Sequence, residues 1–250
     1  MSKQTLIIAE TGINHNDDAD LAVELVESAI DCGADAVKFQ TFLEVDVARH
    51  LDNPDELPEV LEFKLKQVCD DAGVLFLSNA WDTRSLDFLV RGLDVRLLKI
   101  GAADIGNLEL IRAHAETGRN LVLSIQKAGD DEIERALETI ASSWRPESLE
   151  DLASRLVLLH GPVEFPAAHD DFALRELERV ARRFGLGVGF SDHSPGIALP
   201  IAAAARGAPL IKKYFTLDHT LPGPDHVHCL EPDEFRSMVE GVRAVEAALG

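Results

Sequence analysis

Lysines are concentrated where apolar stretches of this sequence end. Of the eight lysines in the 250-residue chain, five close or directly follow such a stretch. They are Lys38, Lys99, Lys127, Lys212 and Lys213. Lysines are rarely buried unless they are paired, so their convergence in a protein of formal net charge −20 predicts a site for an anionic small molecule. The alternative is that each ammonium group pairs with a nearby carboxylate, such as Glu10 or Asp104.

Other polar side chains lie at the ends of the same apolar stretches, where a packed interior would not need them. They are Glu10, Gln40, Ser78, Asp82, Ser124, Gln126, His160, Ser191, His193 and Tyr214. If Lys212 and Tyr214 face the site, the alternation of a strand turns Lys213 away from it. His193 is a candidate metal ligand or general base, with a hydrogen-bonded structural histidine as the alternative.

Three histidines, His219, His226 and His228, follow the last apolar stretch in a loop that could fold over the site. Their spacing fits no standard metal motif, and we expect His219 and His228 to be exposed to solvent. We also expect His114 to be an ordinary surface residue. The cysteines Cys32, Cys69 and Cys229 form neither a disulfide framework nor a metal motif, which is typical of a reducing compartment.

The apolar stretches number eight, and most are separated by a segment with helical periodicity. They cover residues 6–10, 36–40, 74–78, 96–101, 120–126, 155–160, 187–193 and 210–215. Between the first two, apolar residues from Leu21 to Ile30 recur every three or four positions, and Gly33 follows where a helix should end. Eight strand–helix units predict an α/β protein with a (β/α)8 TIM-barrel fold, in one domain over residues 1–250.

An open, doubly wound sheet is the alternative architecture. The first apolar stretch, however, runs into Thr11-Gly12-Ile13-Asn14-His15 and not into a glycine-rich phosphate fingerprint. In a barrel, the carboxyl ends of all strands meet at one mouth. The polar residues at the strand ends would therefore line a single site.

Composition narrows the class of protein further. With 46% hydrophobic residues the chain is not disordered, and 44 acidic against 24 basic residues exclude nucleic-acid binding through bulk charge. No apolar stretch approaches the length of a membrane span, and the first residues do not form a signal peptide. We therefore expect a cytoplasmic protein that binds neither nucleic acid nor membrane.

The strand ends resemble those of the sialic acid synthase family, the N-acetylneuraminate synthase-like barrels. The matching stretches are residues 8–16 (IAETGINHN), 33–42 (GADAVKFQTF), 99–100 (KI), 189–193 (GFSDH), 215–218 (FTLD) and 221–226 (LPGPDH). They extend from the first strand to the last, so the resemblance covers the whole predicted barrel.

The resemblance implies that phosphoenolpyruvate condenses with an aldehyde sugar, such as an N-acyl-mannosamine, to give a sialic-acid-like 2-keto-3-deoxy acid and phosphate. By resemblance, Glu10 is the catalytic carboxylate, Lys38 contacts phosphoenolpyruvate and Asp225 binds the sugar. Gln40 would lie beside a site for Mn²⁺ or Mg²⁺, of which His193 is one of two histidine ligands. The remaining residues expected to bind substrate are Asn14, His15, Lys99, Ser124, Gln126, Lys127, His160, Ser191 and Tyr214.

The sequence departs from the family pattern at three strand ends. Residues 212–215 (KKYF) replace the usual Glu-Lys-His-Phe, so that Lys212 stands for a carboxylate and Tyr214 for the second metal histidine. An ammonium group where a dication would lie repels it. Residues 124–127 (SIQK) replace Ser-Thr-Gly-Met, and residues 160–162 (HGP) replace His-Cys-Thr, which removes hydroxyl groups that would help hold phosphoenolpyruvate.

We also expect no counterpart of the family's C-terminal antifreeze-like domain, and a homodimer of bare barrels is compatible with the pattern. Three functions remain open from the sequence. The first is a divergent phosphoenolpyruvate-dependent synthase in which Lys212 supplies electrostatic activation without metal. The second is a keto-acid lyase or aldolase with a Schiff base on Lys127 or Lys212. The third is a non-catalytic barrel that binds an anionic sugar metabolite or a protein partner.

Overall fold

The computed structural model describes residues 4–41, 57–171 and 173–250. Within them, eight parallel strands pair in chain order and β8 pairs with β1, so the sheet closes into a barrel. The strands are β1 (Leu6–Glu10), β2 (Ala36–Thr41), β3 (Leu75–Ala80), β4 (Leu97–Ile100), β5 (Asn120–Ser124), β6 (Leu156–His160), β7 (Gly187–Asp192) and β8 (Leu210–Tyr214). The predicted TIM barrel is confirmed, and closure of the sheet excludes the doubly wound alternative.

Helices surround the barrel and connect its strands. Those of the described residues are α1 (Ala19–Asp31), α2 (Glu59–Asp71), α3 (Thr83–Asp87), α4 (Leu108–Glu116), α5 (Asp130–Trp144), α6 (Leu149–Arg155), α7 (Leu174–Phe184), α8 (Ala198–Ala205) and α9 (Pro232–Leu249). Helix α1 shows how the sequence sets them: the Asp18 carboxylate accepts hydrogen bonds from the backbone N–H groups of Asp20 and Leu21. The helix is followed by Gly33, whose φ of +87° favours glycine.

The strands divide the apolar residues between two cores because their side chains alternate. One face of each strand packs against the helices, in the larger core. The other face fills the lower barrel interior with Leu6, Ile8, Ala36, Leu75, Leu77, Leu97, Val122, Val157, Leu159 and Leu210. Above this layer, toward the carboxyl ends of the strands, the inward positions become polar, and the candidate site begins there.

Alternation also decides the fate of the two adjacent lysines of β8. Lys212 shares its face with Tyr214, whereas Lys213 points outward and donates a hydrogen bond to Asp192 Oδ2 at 2.7 Å. The prediction for Lys213 is confirmed. His114, predicted at the surface, is instead completely buried on α4, where Nδ1 donates to the carbonyl oxygen of Leu110 at 2.9 Å. That expectation was wrong because the apolar face of α4 includes position 114.

No helix in the described part of the chain is long and apolar enough to cross a membrane. Of the stretches that carry the family resemblance, Phe42 lies outside the described residues.

Candidate active site

A buried carboxylate shared by two ammonium groups lies at the mouth of the barrel. Glu10, at the end of β1, is 2% exposed, and Lys38 Nζ lies 2.9 Å from each of its oxygens. Lys212 Nζ lies 3.4 Å from Glu10 Oε2. Burial alone would raise the pKa of Glu10, but the two ammonium groups outweigh it and hold that pKa below its ordinary value. Glu10 is therefore an ionised carboxylate between two cations.

Lys99 brings a third amine into the same interior. It lies on β4, is 7% exposed and faces inward opposite Asn79 of β3. Burial and the neighbouring charges of Lys38 and Lys212 lower its pKa well below the ordinary value, although Glu10 and Asp104 oppose the shift. The predicted convergence of lysines is thus confirmed for Lys38, Lys99 and Lys212. These three amines surround one carboxylate, that of Glu10, so the mouth can accept further negative charge.

Aromatic rings form one wall of the mouth beside β7 and β8. The Tyr214 ring contacts both Phe165, with ring centroids 4.1 Å apart, and Lys212, whose Nζ is 4.1 Å from the Tyr214 centroid. A cation over an aromatic face is attracted by the ring quadrupole. The Tyr214 ring therefore stabilises the ammonium group of Lys212 beside Glu10. Burial, with Glu10 and Asp225 nearby, raises the pKa of Tyr214 well above its ordinary value, so its phenol stays protonated.

His193 completes this wall in a single tautomer. Its Nδ1 lies 2.8 Å from the carbonyl oxygen of Glu164 and must donate to it, which leaves Nε2 free to accept from Ser191 Oγ at 3.3 Å. Burial and the charge of Lys212 lower the pKa of His193 to about 3. The imidazole is therefore neutral.

Hydrogen bonds hold the loop after β8 at the mouth of the barrel. His226, 1% exposed, lies 2.6 Å from Thr216 Oγ1 through Nδ1, and Asn14 Nδ2 donates to the carbonyl oxygen of Phe215 at 2.8 Å. These contacts hold Asp225 close enough to Glu10 that burial and the charge of Glu10 raise the pKa of Asp225. Of the two loop histidines expected to be exposed, His228 is exposed and His219 is partly buried.

Several buried polar atoms on the opposite side of the mouth have no hydrogen-bond partner among the described residues. They are Asn79 Oδ1, Trp81 Nε1, Ser124 Oγ and Gln126 Oε1. Such atoms are costly in an apolar interior unless a ligand or water satisfies them. Asn79, Ser124 and Gln126 occupy inward positions at the ends of β3 and β5, so the need for a partner is localised beside Lys99.

Two residues predicted to bind substrate do not join this cluster. His160 ends β6 on the face that also carries Leu156 and Leu158, and therefore points outward, where its charged neighbours are Glu176 and Arg179 of α7. Its assignment to the site was wrong because the alternation of β6 places Leu159 inward instead. Lys127 has a φ of +62° and an exposed side chain that pairs with Glu164 at 2.8 Å on the rim. This exposure removes the desolvation that a Schiff base on Lys127 would require.

Of the other residues predicted to bind substrate, some face the mouth and others are buried in the loop after β1. Gln40 and Ser191 occupy inward positions at the mouth. Asn14 and His15 are buried in the loop after β1, where Asn14 bonds to Phe215 and His15 Nδ1 accepts from the N–H of Asp17 at 3.2 Å. Their role in binding substrate remains a prediction.

Sequence reasoning missed Asn79 and Phe165. Ser78 was singled out instead of Asn79, but it faces outward and bonds to Thr41 at 2.7 Å. The inward spacing Leu75, Leu77, Asn79 would have found the right residue. Phe165 lies in an irregular loop, and no local pattern predicts that it stacks on Tyr214.

The residues present do not fit a divalent metal. In the part of the chain that the structure describes, no group of three His, Cys, Asp or Glu side chains comes together to hold one. Both oxygens of Glu10 are engaged by Lys38, and the ammonium group of Lys212 lies between Glu10 and Tyr214. A dication beside His193 would be repelled by Lys212.

A closed (β/α)8 barrel with ionic and neutral polar groups at the carboxyl ends of its strands has the architecture of an enzyme of this fold. The sequence profile of the NeuB family matches residues 25–250, and the chain belongs to that family. Its resemblance to the sialic acid synthases is thereby confirmed.

Individual relatives agree with the family assignment. The chain is 36% identical over 269 residues to N,N'-diacetyllegionaminic acid synthase of Legionella pneumophila, covering all of this chain and 74% of the relative. It is 31% identical over 264 residues to human N-acetylneuraminate-9-phosphate synthase, covering 98% and 71%. The solved N-acetylneuraminic acid synthetase of Leptospira borgpetersenii, in complex with citrate, superposes with a TM-score of 0.88 at 32% identity, covering 99% and 85%.

Proposed function

We propose that this protein condenses phosphoenolpyruvate with an aldehyde sugar to give a sialic-acid-like 2-keto-3-deoxy acid, and that it does so without a divalent metal. The observation that carries the proposal is the cluster of Lys38, Lys99 and Lys212 around Glu10 at the mouth. Three amines facing one carboxylate attract a ligand that bears both a carboxylate and a phosphate. The names of the relatives support a sugar-acid synthase in general and leave the acceptor open.

The reaction joins C3 of phosphoenolpyruvate to the aldehyde carbon, while the aldehyde oxygen takes up a proton and becomes a hydroxyl group. Water adds at C2, and the C2–O bond to phosphate breaks, which gives the keto acid and inorganic phosphate. Negative charge develops on the aldehyde oxygen as the C–C bond forms. The ammonium group of Lys212, held by Glu10 and the Tyr214 ring, supplies a fixed positive charge for it.

The first test is phosphate release from phosphoenolpyruvate, measured with a panel of N-acyl aldehyde sugars after treatment with a chelator. We expect release that depends on the sugar and persists in the chelator. Lys38→Ala should reduce it by about 10²–10³-fold, because a preorganised charge in a desolvated site is lost. Lys38→Met, which retains the volume, should show the same loss in a protein with unchanged circular dichroism.

A matched control is Lys66→Ala, which removes an ammonium group from the outer helix α2, where Lys66 pairs with Asp70. It should retain full activity. Full activity in Lys38→Ala, or loss in the chelator that added manganese restores, would refute the proposal.

A further inference from the structure

Lys99 differs from the other buried lysines in having no partner of its own. Lys38 and Lys212 both contact Glu10, and Lys213 pairs with Asp192. Lys99 is 7% exposed, and no hydrogen bond or ion pair joins it to another described residue, although the charges of Glu10 and Asp104 act on it. A buried ammonium group without a counter-ion is strongly disfavoured, whereas a buried neutral amine is tolerated.

The charges around Lys99 favour the neutral amine. Lys38 and Lys212 bring two positive charges into the same interior, and the carboxylate of Glu10 is already shared between them. Asp104 acts on Lys99 through its charge and makes no hydrogen bond with it. Desolvation and a neighbouring cation are the two conditions that convert a lysine into a nucleophile able to form Schiff bases.

The residue opposite Lys99 provides an acceptor. Asn79 is the strand partner of Lys99 between β3 and β4, and its Oδ1 is one of the buried atoms without a partner among the described residues. A protonated imine on Lys99 carries an N–H group that needs such an acceptor. Lys38 and Lys212 carry the positive charge that a carboxylate beside the imine would require.

We propose that Lys99 forms an imine with the keto carbon of a small 2-oxo acid such as pyruvate, a second chemistry of the barrel that requires no phosphoenolpyruvate. The lone pair of Nζ attacks the carbonyl carbon, and the carbonyl oxygen takes up a proton to give a carbinolamine. This loses water, and the C=N bond forms. The net change is amine plus ketone to imine plus water, without an oxidant or reductant.

The experiment is reduction with cyanoborohydride in the presence of pyruvate, followed by intact-mass measurement and peptide mapping. The reductant converts the imine to a stable secondary amine. We expect one adduct per chain, saturable with pyruvate and located on Lys99. Lys99→Arg, which keeps a positive charge but cannot form an imine, should remove it.

Peptide mapping of the adduct in the unaltered protein identifies the modified lysine directly, so the test does not depend on whether Lys99→Arg folds. Labelling that is spread over exposed lysines such as Lys127, or located on Lys38 or Lys212, would overturn the proposal, as would the absence of any adduct. Phosphate release from phosphoenolpyruvate is measured on the same preparation. Release without an adduct refutes only the imine, and an adduct without release refutes only the synthase.

Discussion

At the scale of single residues, the mouth of the barrel has more amines than carboxylates. Glu10 contacts Lys38 and Lys212 but not Lys99, and burial lowers the pKa of Lys99 well below its ordinary value. An anionic ligand would supply the missing negative charge. It would also favour the protonated form of Lys99, because an opposite charge nearby stabilises an ammonium group.

This coupling predicts that phosphoenolpyruvate binding takes up protons. Above the pKa of Lys99 in the free protein, the amine is neutral before binding and charged afterwards, so affinity should fall as the pH rises. Titration calorimetry in buffers of different ionisation enthalpy measures the uptake directly. We expect the uptake to approach one proton at a pH between the pKa values of Lys99 in the free and bound protein, and to decrease as the pH approaches either of them. Lys99→Arg, always charged, should abolish it, and uptake that persists in this variant would contradict the assignment.

Some residues of the site could be predicted from the sequence and others could not. Lys38, Lys99 and Lys212 were predictable as site residues because lysines are rarely buried at strand ends unless a carboxylate or an anionic ligand pairs with them. Phe165 was not predictable, because its contact with Tyr214 joins an irregular loop to the end of β8, and no periodicity of the sequence relates the two. The ion pair between Lys127 and Glu164 was hidden for the same reason.

At the scale of elements, the alternation of each strand separates catalytic from structural side chains. On β8 it directs Lys212 into the mouth and Lys213 into the layer between barrel and helices, where Asp192 is fully buried. Gly161, just after β6, lies so close to β7 that a Cβ atom there would be 2.2 Å from the carbonyl oxygen of Ser191, so only glycine fits at this position.

The eight strands were predictable from the apolar stretches of the sequence, but the bounds of most strands differ from the prediction by one or two residues. A shift of this size explains the omission of Asn79, since β3 extends beyond residue 78 to Ala80, whereas His160 was misplaced because its side chain alternates with the inward Leu159.

The adjacent lysines of β8 therefore make a matched pair of variants. Lys213→Met should lower the free energy of unfolding by about 3–5 kcal/mol, because it leaves Asp192 buried without its cation. Lys212→Met should cost much less stability, since Glu10 retains Lys38, but should lose most of the phosphate release. Urea unfolding and the release assay on both variants separate the two roles. Equal destabilisation by both substitutions would contradict this division of the strand.

At the scale of the whole molecule, acidic residues outnumber basic ones by 44 to 24. Exposed ion pairs such as Arg179–Asp130 and Arg206–Glu178 each use one acidic and one basic residue, so they leave the excess unchanged, and exposed pairs contribute little to stability. Repulsion among the remaining carboxylates weakens the compact state, and salt screens it. The barrel itself was predictable as a whole because eight strand–helix units leave few alternatives.

We therefore expect the melting temperature to rise when potassium chloride is increased from about 0.01 M to 1 M, over which the screening length falls from about 30 Å to 3 Å. Differential scanning calorimetry in a buffer of constant pH measures it. A melting temperature that falls with salt would show that favourable ion pairs, and not repulsion, dominate the surface.

Thermal stabilisation by phosphoenolpyruvate tests the metal-independent lysine site, and it is measured in a chelator and again with manganese, beside pyruvate and phosphate as reference ligands. A ligand that binds the folded state raises the melting temperature by mass action. The lysine cluster predicts a clear rise with phosphoenolpyruvate in the chelator, with no further rise on adding manganese. No rise in either condition, or a rise only with manganese, would contradict a metal-independent phosphoenolpyruvate site.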